Sequence, residues 1–332
     1  MKRARGIGAW RRLACAGLAL AMAQVAGAEP VPVVLDTDIG DDIDDTWALA
    51  YLLRSPELEL RMVLTDYGDT VYRAKVAAKL LEVAGRGDVP VGIGIRQAEE
   101  GGRQSAWVEG YDLGSYPGAV HEDGVQALIE LIRESEQPIR VIAIGPAPNI
   151  RAALERAPDI AERAAFFGMY GSVRKGYGGN PEPEPEWNVR ADPASVRAIL
   201  AAPWAVTLTP LDTCGLVRLA GEDYAAVRDS DDPLARAVIE NYRIWLPHVD
   251  WLPEDPGRPD RESTVLFDTV AVYMAFAEEL LEFEDLTLRV TDEGHTIEDP
   301  EGRPARCALR WVDRGRFERH VAARVAGESG GD

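Results

Sequence analysis

From residue 31 onward the chain alternates short apolar runs with amphipathic stretches. Residues 31–35 are a continuous apolar run, the pattern of a strand buried on both faces. Strand-like runs recur at 58–64, 89–94, 139–144, 164–169 and 204–208. Helical patterns fall between them, at 46–53 with Trp47, Leu49, Ala50 and Leu53 on one side, and at 72–84, 123–134, 149–155 and 193–200. Asp123 has the residue type of an N-cap. This rhythm predicts an α/β fold: an open, mostly parallel sheet with helices on both faces.

Two stretches interrupt the rhythm. Residues 96–119 are rich in Gly, Ser and Tyr, and 170–185 carry Gly171, Gly176, Gly178 and Gly179 ahead of an Asn-Pro-Glu-Pro-Glu-Pro run from Asn180. Long loops inside a compact domain are usually functional or disordered. Beyond Pro210, helical patterns dominate, at 232–245 and 267–281. The proline-rich segment 245–261 reads as an ordered lid or rim. Residues 307–312 and 317–323, separated by Asp313-Arg314-Gly315-Arg316, read as a C-terminal hairpin. With no internal repeat and no linker, residues 29–332 read as a single domain.

Residues 1–28 differ in kind. They hold Lys2, Arg3, Arg5, Arg11 and Arg12 but no acid, then an apolar run over 13–25, then Ala26-Gly27-Ala28. That order fits a cleaved secretory signal peptide, and the run falls short of the roughly 20 residues that span a bilayer. The chain is therefore expected to be exported, to the periplasm. Arg11-Arg12 also fits a twin-arginine route. The formal net charge of −20 falls to −25 once these five cations leave. Such a field repels nucleic acid and anionic membranes and suits a small molecule or a metal ion. Of three cysteines, Cys15 leaves with the signal, while Cys214 and Cys307 read as small apolar fillers that an oxidising compartment could pair. No CxxC or HExxH pattern suggests zinc.

The chemistry concentrates after the first strand, in Asp36-Thr37-Asp38-Ile39-Gly40-Asp41-Asp42-Ile43-Asp44-Asp45. In an open α/β sheet, ligands bind beyond the carboxyl ends of the strands. Carboxylates crowded there repel one another and lose hydration unless a cation compensates. An oxygen-rich site selects a hard cation such as Ca²⁺ or Mg²⁺. The alternative is a solvated loop in which Asp45 caps the following helix. An Asp-x-Asp after a first strand also occurs in aspartyl-phosphate phosphatases, but Gly40 and Asp41 stand where such a Mg²⁺-dependent enzyme would place Thr or Ser.

The motif Asp36-Thr37-Asp38-Ile39-Gly40…Asp44-Asp45, followed by Ala48-Leu49, closely resembles the opening motif of the inosine-uridine preferring nucleoside hydrolase family. Ile144-Gly145-Pro146-Ala147-Pro148-Asn149-Ile150 is similar to that family's Gly-Pro-Leu-Thr-Asn turn. Asn180…Glu186-Trp187-Asn188, followed by Asp192-Pro193, is similar to its sugar-binding segment. Phe267-Asp268 falls where a His-Asp pair is common. The resemblance spans residues 31–280 and implies hydrolysis of a ribonucleoside to ribose and free base. It further implies Ca²⁺ held by Asp38, Asp45, the carbonyl of Ile144 and Asp268. Asp38 would take a proton from the metal-bound water, and Asp44, Asn180, Glu186 and Asn188 would hold the sugar hydroxyls. A homodimer or homotetramer is implied as well.

The departures from the family pattern are specific. Two extra residues precede Asp44-Asp45, which leaves Asp41 and Asp42 without a role. Asp69 stands where an Asn that touches the ribose is usual. Phe267 replaces a His that protonates the leaving base in some members, so stacking on Trp245, His248 or Trp251 is an alternative way to activate the base. His121 lies in a segment similar to one near the family's pocket, or is simply a helix-entry histidine. Asp69 and Phe267 also keep open a Ca²⁺-dependent ribose- or nucleoside-binding protein with a degenerate site.

Overall fold

The computed structural model describes residues 29–99 and 101–328; the signal segment expected over 1–28 lies outside the described residues. Among the described residues, ten strands form one sheet: β1 Val31–Thr37, β2 Leu58–Thr65, β3 Val91–Ile93, β4 Val120–His121, β5 Ile139–Ala143, β6 Ala164–Met169, β7 Val206–Thr209, β8 Leu281–Val290, β9 Thr296–Glu298 and β10 Arg303–Trp311. Their order is β4-β3-β2-β1-β5-β6-β7-β10-β8-β9. Pairing is parallel from β4 across to β10, and antiparallel for β10 with β8 and β8 with β9. The helices are α1 Asp44–Leu53, α2 Thr70–Val83, α3 Gly124–Glu134, α4 Pro148–Arg156, α5 Trp187–Ala191, α6 Pro193–Ala201, α7 Gly221–Arg228, α8 Pro233–Trp245, α9 Thr269–Met274 and α10 Arg314–Val325.

Side chains of a strand alternate between faces, and β1 shows what that does here. Val33 and Leu35 enter a core with Trp47 and Leu49 of α1 and Val270 of α9. Val34 enters the opposite core with Leu128 of α3 and Ile150 of α4. Both faces of β1 are thus apolar, which explains its unbroken hydrophobic run. The chain leaves β1 for β2 on one side and reaches β5 on the other. That reversal opens a crevice beyond the carboxyl ends of β1 and β5, where open α/β sheets bind ligands.

The C-terminal antiparallel strands are present, with a different partner from the one expected. Residues 307–311 lie in β10, but β10 pairs with the preceding β8, Leu281 opposite Trp311. The segment 317–323 lies in α10, whose N-cap Asp313 accepts the Arg316 N–H at 2.9 Å. Phe317, Val321, Ala322 and Val325 form its buried face. The helix expected over 267–281 is shorter: α9 ends at Met274 and a strand starts at Leu281. Cys214 and Cys307 are both free and buried. Among the described residues, no helix is long and apolar enough to cross a membrane.

Phe317 is fully buried, 4.8 Å from the Trp311 ring and 5.2 Å from Tyr273 between centroids. Phe317→Ala is expected to cost about 3–5 kcal/mol, because the surrounding sheet and helices cannot collapse into the gap. The denaturation midpoint checks this; a change under 1 kcal/mol would mean that α10 is not part of the cooperative fold.

Candidate active site

The acidic loop leaves the end of β1 and is anchored by its own apolar residues. Ile39 and Ile43 are fully buried. Gly40 has φ +99, and a Cβ there would lie 2.7 Å from the Tyr72 hydroxyl; both facts require glycine. The Tyr72 hydroxyl donates to the Gly40 carbonyl at 3.2 Å. Arg73, buried in α2, donates to the carbonyls of Asp38, Ile39 and Tyr67. The loop backbone is therefore held from α2.

Asp44 and Asp45 occupy the first turn of α1, where the helix dipole favours acids. Asp268 immediately precedes α9, and its backbone N–H donates to Asp44 Oδ2 at 3.3 Å. Carboxylate oxygens of Asp44, Asp45 and Asp268 lie within 4.8 Å of one another, and all three residues are buried. The Thr37 hydroxyl donates to Asp45 Oδ1 at 2.5 Å. Gly145 packs against Asp38, since a Cβ on Gly145 would sit 3.0 Å from the Asp38 nitrogen. Just beyond β5, the Ile144 carbonyl accepts Asn188 Nδ2 at 2.9 Å.

Burial lifts the carboxyl groups out of their usual range. Asp38 is pushed up to about 7, by burial first and by Asp41 and Asp44, against the pull of Arg73. Burial pushes Asp44 up to about 6. Asp45 and Asp268 rise well above the carboxylate norm from burial and from each other's acidic neighbours. A set of buried oxygens with no sulfur or imidazole among them suits a hard divalent cation. Asp44, Asp45 and Asp268 are the groups close enough together to hold it.

Around this cluster, Glu186 caps α5: its carboxylate accepts the N–H groups of Gly171, Asn188 and Val189 at 3.0, 2.7 and 3.2 Å. Burial nonetheless pushes its pKa up to about 7. Asn188 is buried beside it. Asn180 is exposed and folded onto its own loop, accepting the Glu182 N–H. Asp69 caps α2 through Tyr72 N, and its other oxygen accepts Gly101 N at 3.2 Å; it ties the 96–103 loop to α2. His121 is exposed on β4, separated from β1 by β3 and β2; at about 4.8 Å per strand that is ~14 Å away.

The base-side candidates divide. Trp245 is fully buried and its Nε1 donates to the Asp41 carbonyl at 2.7 Å, so it braces the loop and offers no face to a base. Trp251 is 49% exposed. His248 is exposed on the rim. Phe267 meets the Tyr177 ring edge-on at 6.1 Å.

The structure also gives Asp41 a place that the sequence did not reveal. Its carboxylate pairs with Arg103. The same guanidinium donates to the His248 carbonyl at 3.3 Å and lies 4.4 Å over the Trp251 ring. Asp41 thus latches the 245–251 rim to the acidic loop. Asp42 turns back onto its own helix start, accepting the Ile43 N–H at 2.6 Å. Arg103 is one of two arginines in the 96–119 loop, and nothing in its local spacing marks it as the partner of Asp41.

Buried carboxyls gathered at the switch point of a parallel sheet define a site of the kind that suits a hard cation. The chain belongs to the inosine-uridine preferring nucleoside hydrolase family, which it matches over residues 33–326. It is by family an enzyme, a hydrolase of the ribonucleoside N-glycosidic bond. A probable uridine nucleosidase of Oryza sativa subsp. japonica is 25% identical over 282 residues, covering 80% of this chain and 84% of the relative. A plant nucleoside hydrolase structure superposes with TM-score 0.74 at 24% identity, covering 90% of this chain and 99% of that one. The purine-preferring ribonucleoside hydrolase of Gardnerella vaginalis does so with TM-score 0.69 at 25% identity, covering 90% and 98%.

The raised pKa values fix the sign of a pH effect. Between about pH 4 and pH 7, native Asp38 and Asp44 hold protons that the unfolded chain has shed, so stability present at low pH is lost as pH rises through that window. A bound cation replaces those protons. In chelator, the Tm is expected to fall from pH 5 to pH 8, and saturating calcium to raise it more at pH 8 than at pH 5. A Tm that climbs across that range in chelator would contradict the burial of these acids.

Proposed function

We propose that the chain cleaves ribonucleosides to ribose and free base at this cluster, with Ca²⁺ as the resident ion. Export to the periplasm and assembly as a homodimer or homotetramer are further parts of the proposal. The observation that carries the reading is the buried cluster of Asp44, Asp45 and Asp268, with Asp38 near enough to push up the pKa of Asp45 and Asp268. When bound, the ion would supply the positive charge that acidifies a neighbouring water and fixes the ribose diol.

This chain's residues then have separate tasks. Asp38, with a pKa near neutrality, accepts the proton of the attacking water as a general base. Asp44, with Glu186 and Asn188 across the crevice, binds sugar hydroxyls. Cleavage of the C–N bond develops oxocarbenium character on the sugar, which the surrounding carboxylates stabilise. Phe267 cannot donate a proton, so the departing base is activated by other means, and Tyr177, Trp187 and Trp251 are the exposed large aromatic side chains among the described residues. The relatives' names span uridine and purine preference, so no single base is assigned. A phosphatase acting through Asp36 is disfavoured: that carboxyl is fully buried and holds Asn149 Nδ2 at 2.8 Å, out of reach of a phosphoryl group.

A reducing-sugar assay over a panel of ribonucleosides tests this. Calcium-replete protein is expected to release ribose, and chelation to stop it. Asp45→Ala should lose calcium binding and at least about a hundredfold in kcat/KM, and Asp38→Asn about 10²–10⁴-fold. No ribose from any nucleoside would leave the binding-protein reading in its place.

A further inference from the structure

The antiparallel strands at the C-terminal edge of the sheet contribute no side chain to the acidic cluster, yet their turn packs against the segment that carries Glu186 and Asn188. β8 and β9 pair with Val290 opposite Thr296. The turn between them is closed by its own backbone. The Thr291 N–H donates to the His295 carbonyl at 2.9 Å, and the Gly294 N–H donates to the Thr291 carbonyl at 3.2 Å. Gly294 has φ +87, and a Cβ there would lie 2.5 Å from Arg190 Cα and 2.9 Å from Arg190 N. Those are backbone atoms of α5, which cannot swing aside as the tip of a side chain can. Thr296, buried at the start of β9, packs on Gly171: a Cβ on Gly171 would lie 2.7 Å from Thr296 Oγ1 and 3.2 Å from its Cγ2. Arg174 pairs with Glu298 at 3.1 Å and Glu284 at 2.9 Å, and Arg197 of α6 pairs with Asp292 at 2.9 Å. Exposed pairs of this kind add little stability each, so the weight falls on the close packing at Gly294 and Gly171.

α5 needs such support. It has five residues, and a helix that short has no stability of its own in water. The Glu186 carboxylate holds its first turn through the N–H groups of Asn188 and Val189, and holds Gly171 through a third. Val189 shares a hydrophobic core with Leu288 and Val290 of β8. Asn188 Nδ2 donates to the carbonyls of Ile144 and Met169 at 2.9 and 3.1 Å. The hairpin therefore touches both partners of the Glu186 carboxylate: the helix that it caps and the glycine that donates to it.

We propose that the β8–β9 hairpin is a positioning element of the active site, in which Gly294 and Thr296 set where Glu186 and Asn188 stand. The activity arm rests on the reading of that pair as the groups that hold sugar hydroxyls; the exchange arm does not. A side chain at position 294 must push the turn and α5 apart by roughly 1 Å to reach ordinary van der Waals contact. A misplacement of that size costs on the order of 10–100-fold in a reaction that depends on orientation. Asp44, Asp45 and Asp268 lie on α1 and at the start of α9, so calcium binding is set by other elements.

Gly294→Ala in the full, calcium-loaded chain tests this. Hydrogen exchange read by mass spectrometry is expected to speed up about tenfold or more in peptides covering 171–191, and to stay within about twofold over 36–53. For the ribonucleoside that wild type cleaves fastest, kcat/KM should fall about 10–100-fold. The calcium Kd should stay within about threefold of wild type. Thr296 supplies a conservative pair. Its hydroxyl makes no hydrogen bond among the described residues, so Thr296→Val keeps the packing and should lie within about twofold of wild type in kcat/KM. Thr296→Leu drives an extra methylene toward Gly171 and should lose about tenfold. Exchange that rises equally across the chain, exchange over 171–191 that does not change, or a Thr296→Val variant as impaired as Thr296→Leu would each overturn the proposal. If Gly294→Ala does not fold, the Thr296 pair decides it by the same two readouts. If wild type releases no ribose but the local rise in exchange appears, the functional reading fails and the hold of the hairpin on α5 stands.

Discussion

Carboxyl groups cannot be packed together out of water without something to offset lost hydration and mutual repulsion. In this protein Asp36, Asp38, Asp44, Asp45, Asp66 and Asp268 are all buried around the ends of β1, β2 and β5. The fold offsets them piece by piece. The N-terminal turns of α1 and α9 point at one group, and the start of α4 at another, so three helix dipoles oppose the charge. Thr37, Asn149 and backbone N–H groups each satisfy one oxygen. What is left is a cluster whose pKa values rise, which leaves Asp38, Asp44, Asp45 and Asp268 able to exchange protons for a cation.

That requirement explains features remote from the cluster. Arg73 must be buried in α2 to hold the loop carbonyls without pairing off a carboxylate of the centre. The 245–251 rim is drawn in by Arg103 through Asp41, which also keeps one of the loop's acids occupied. The parallel sheet supplies the frame, since β1, β2 and β5 must end at the same level for the loops that follow them to meet.

Much of this was legible before any coordinates. The unbroken run at 31–35 reported a strand buried on both faces, and the acids after it reported a site at its carboxyl end. Of the residues named from the sequence, Asp44, Asp45 and Asp268 have carboxylate oxygens within 4.8 Å of one another. The C-terminus was misread because 317–323 is short and its helical spacing, Phe317 to Val321 to Val325, shows only over a longer window. β8 was hidden because Glu278-Glu279-Leu280-Leu281 continues a helical pattern past the end of α9. Arg103 was out of reach for another reason: it matters through a partner far off in sequence, Asp41, and no local spacing encodes such a pair. Asp69 and Trp245 had the right residue types for a pocket, but the fold uses one as a helix cap and the other as a brace.

The most direct test is a crystal structure of the protein grown with calcium and ribose. The account predicts one ion coordinated by Asp38, Asp45, Asp268 and the Ile144 carbonyl at about 2.3–2.6 Å, with sugar hydroxyls completing its shell. A cluster that holds no ion at saturating calcium, or an ion bound away from Asp38 and Asp45, would contradict it.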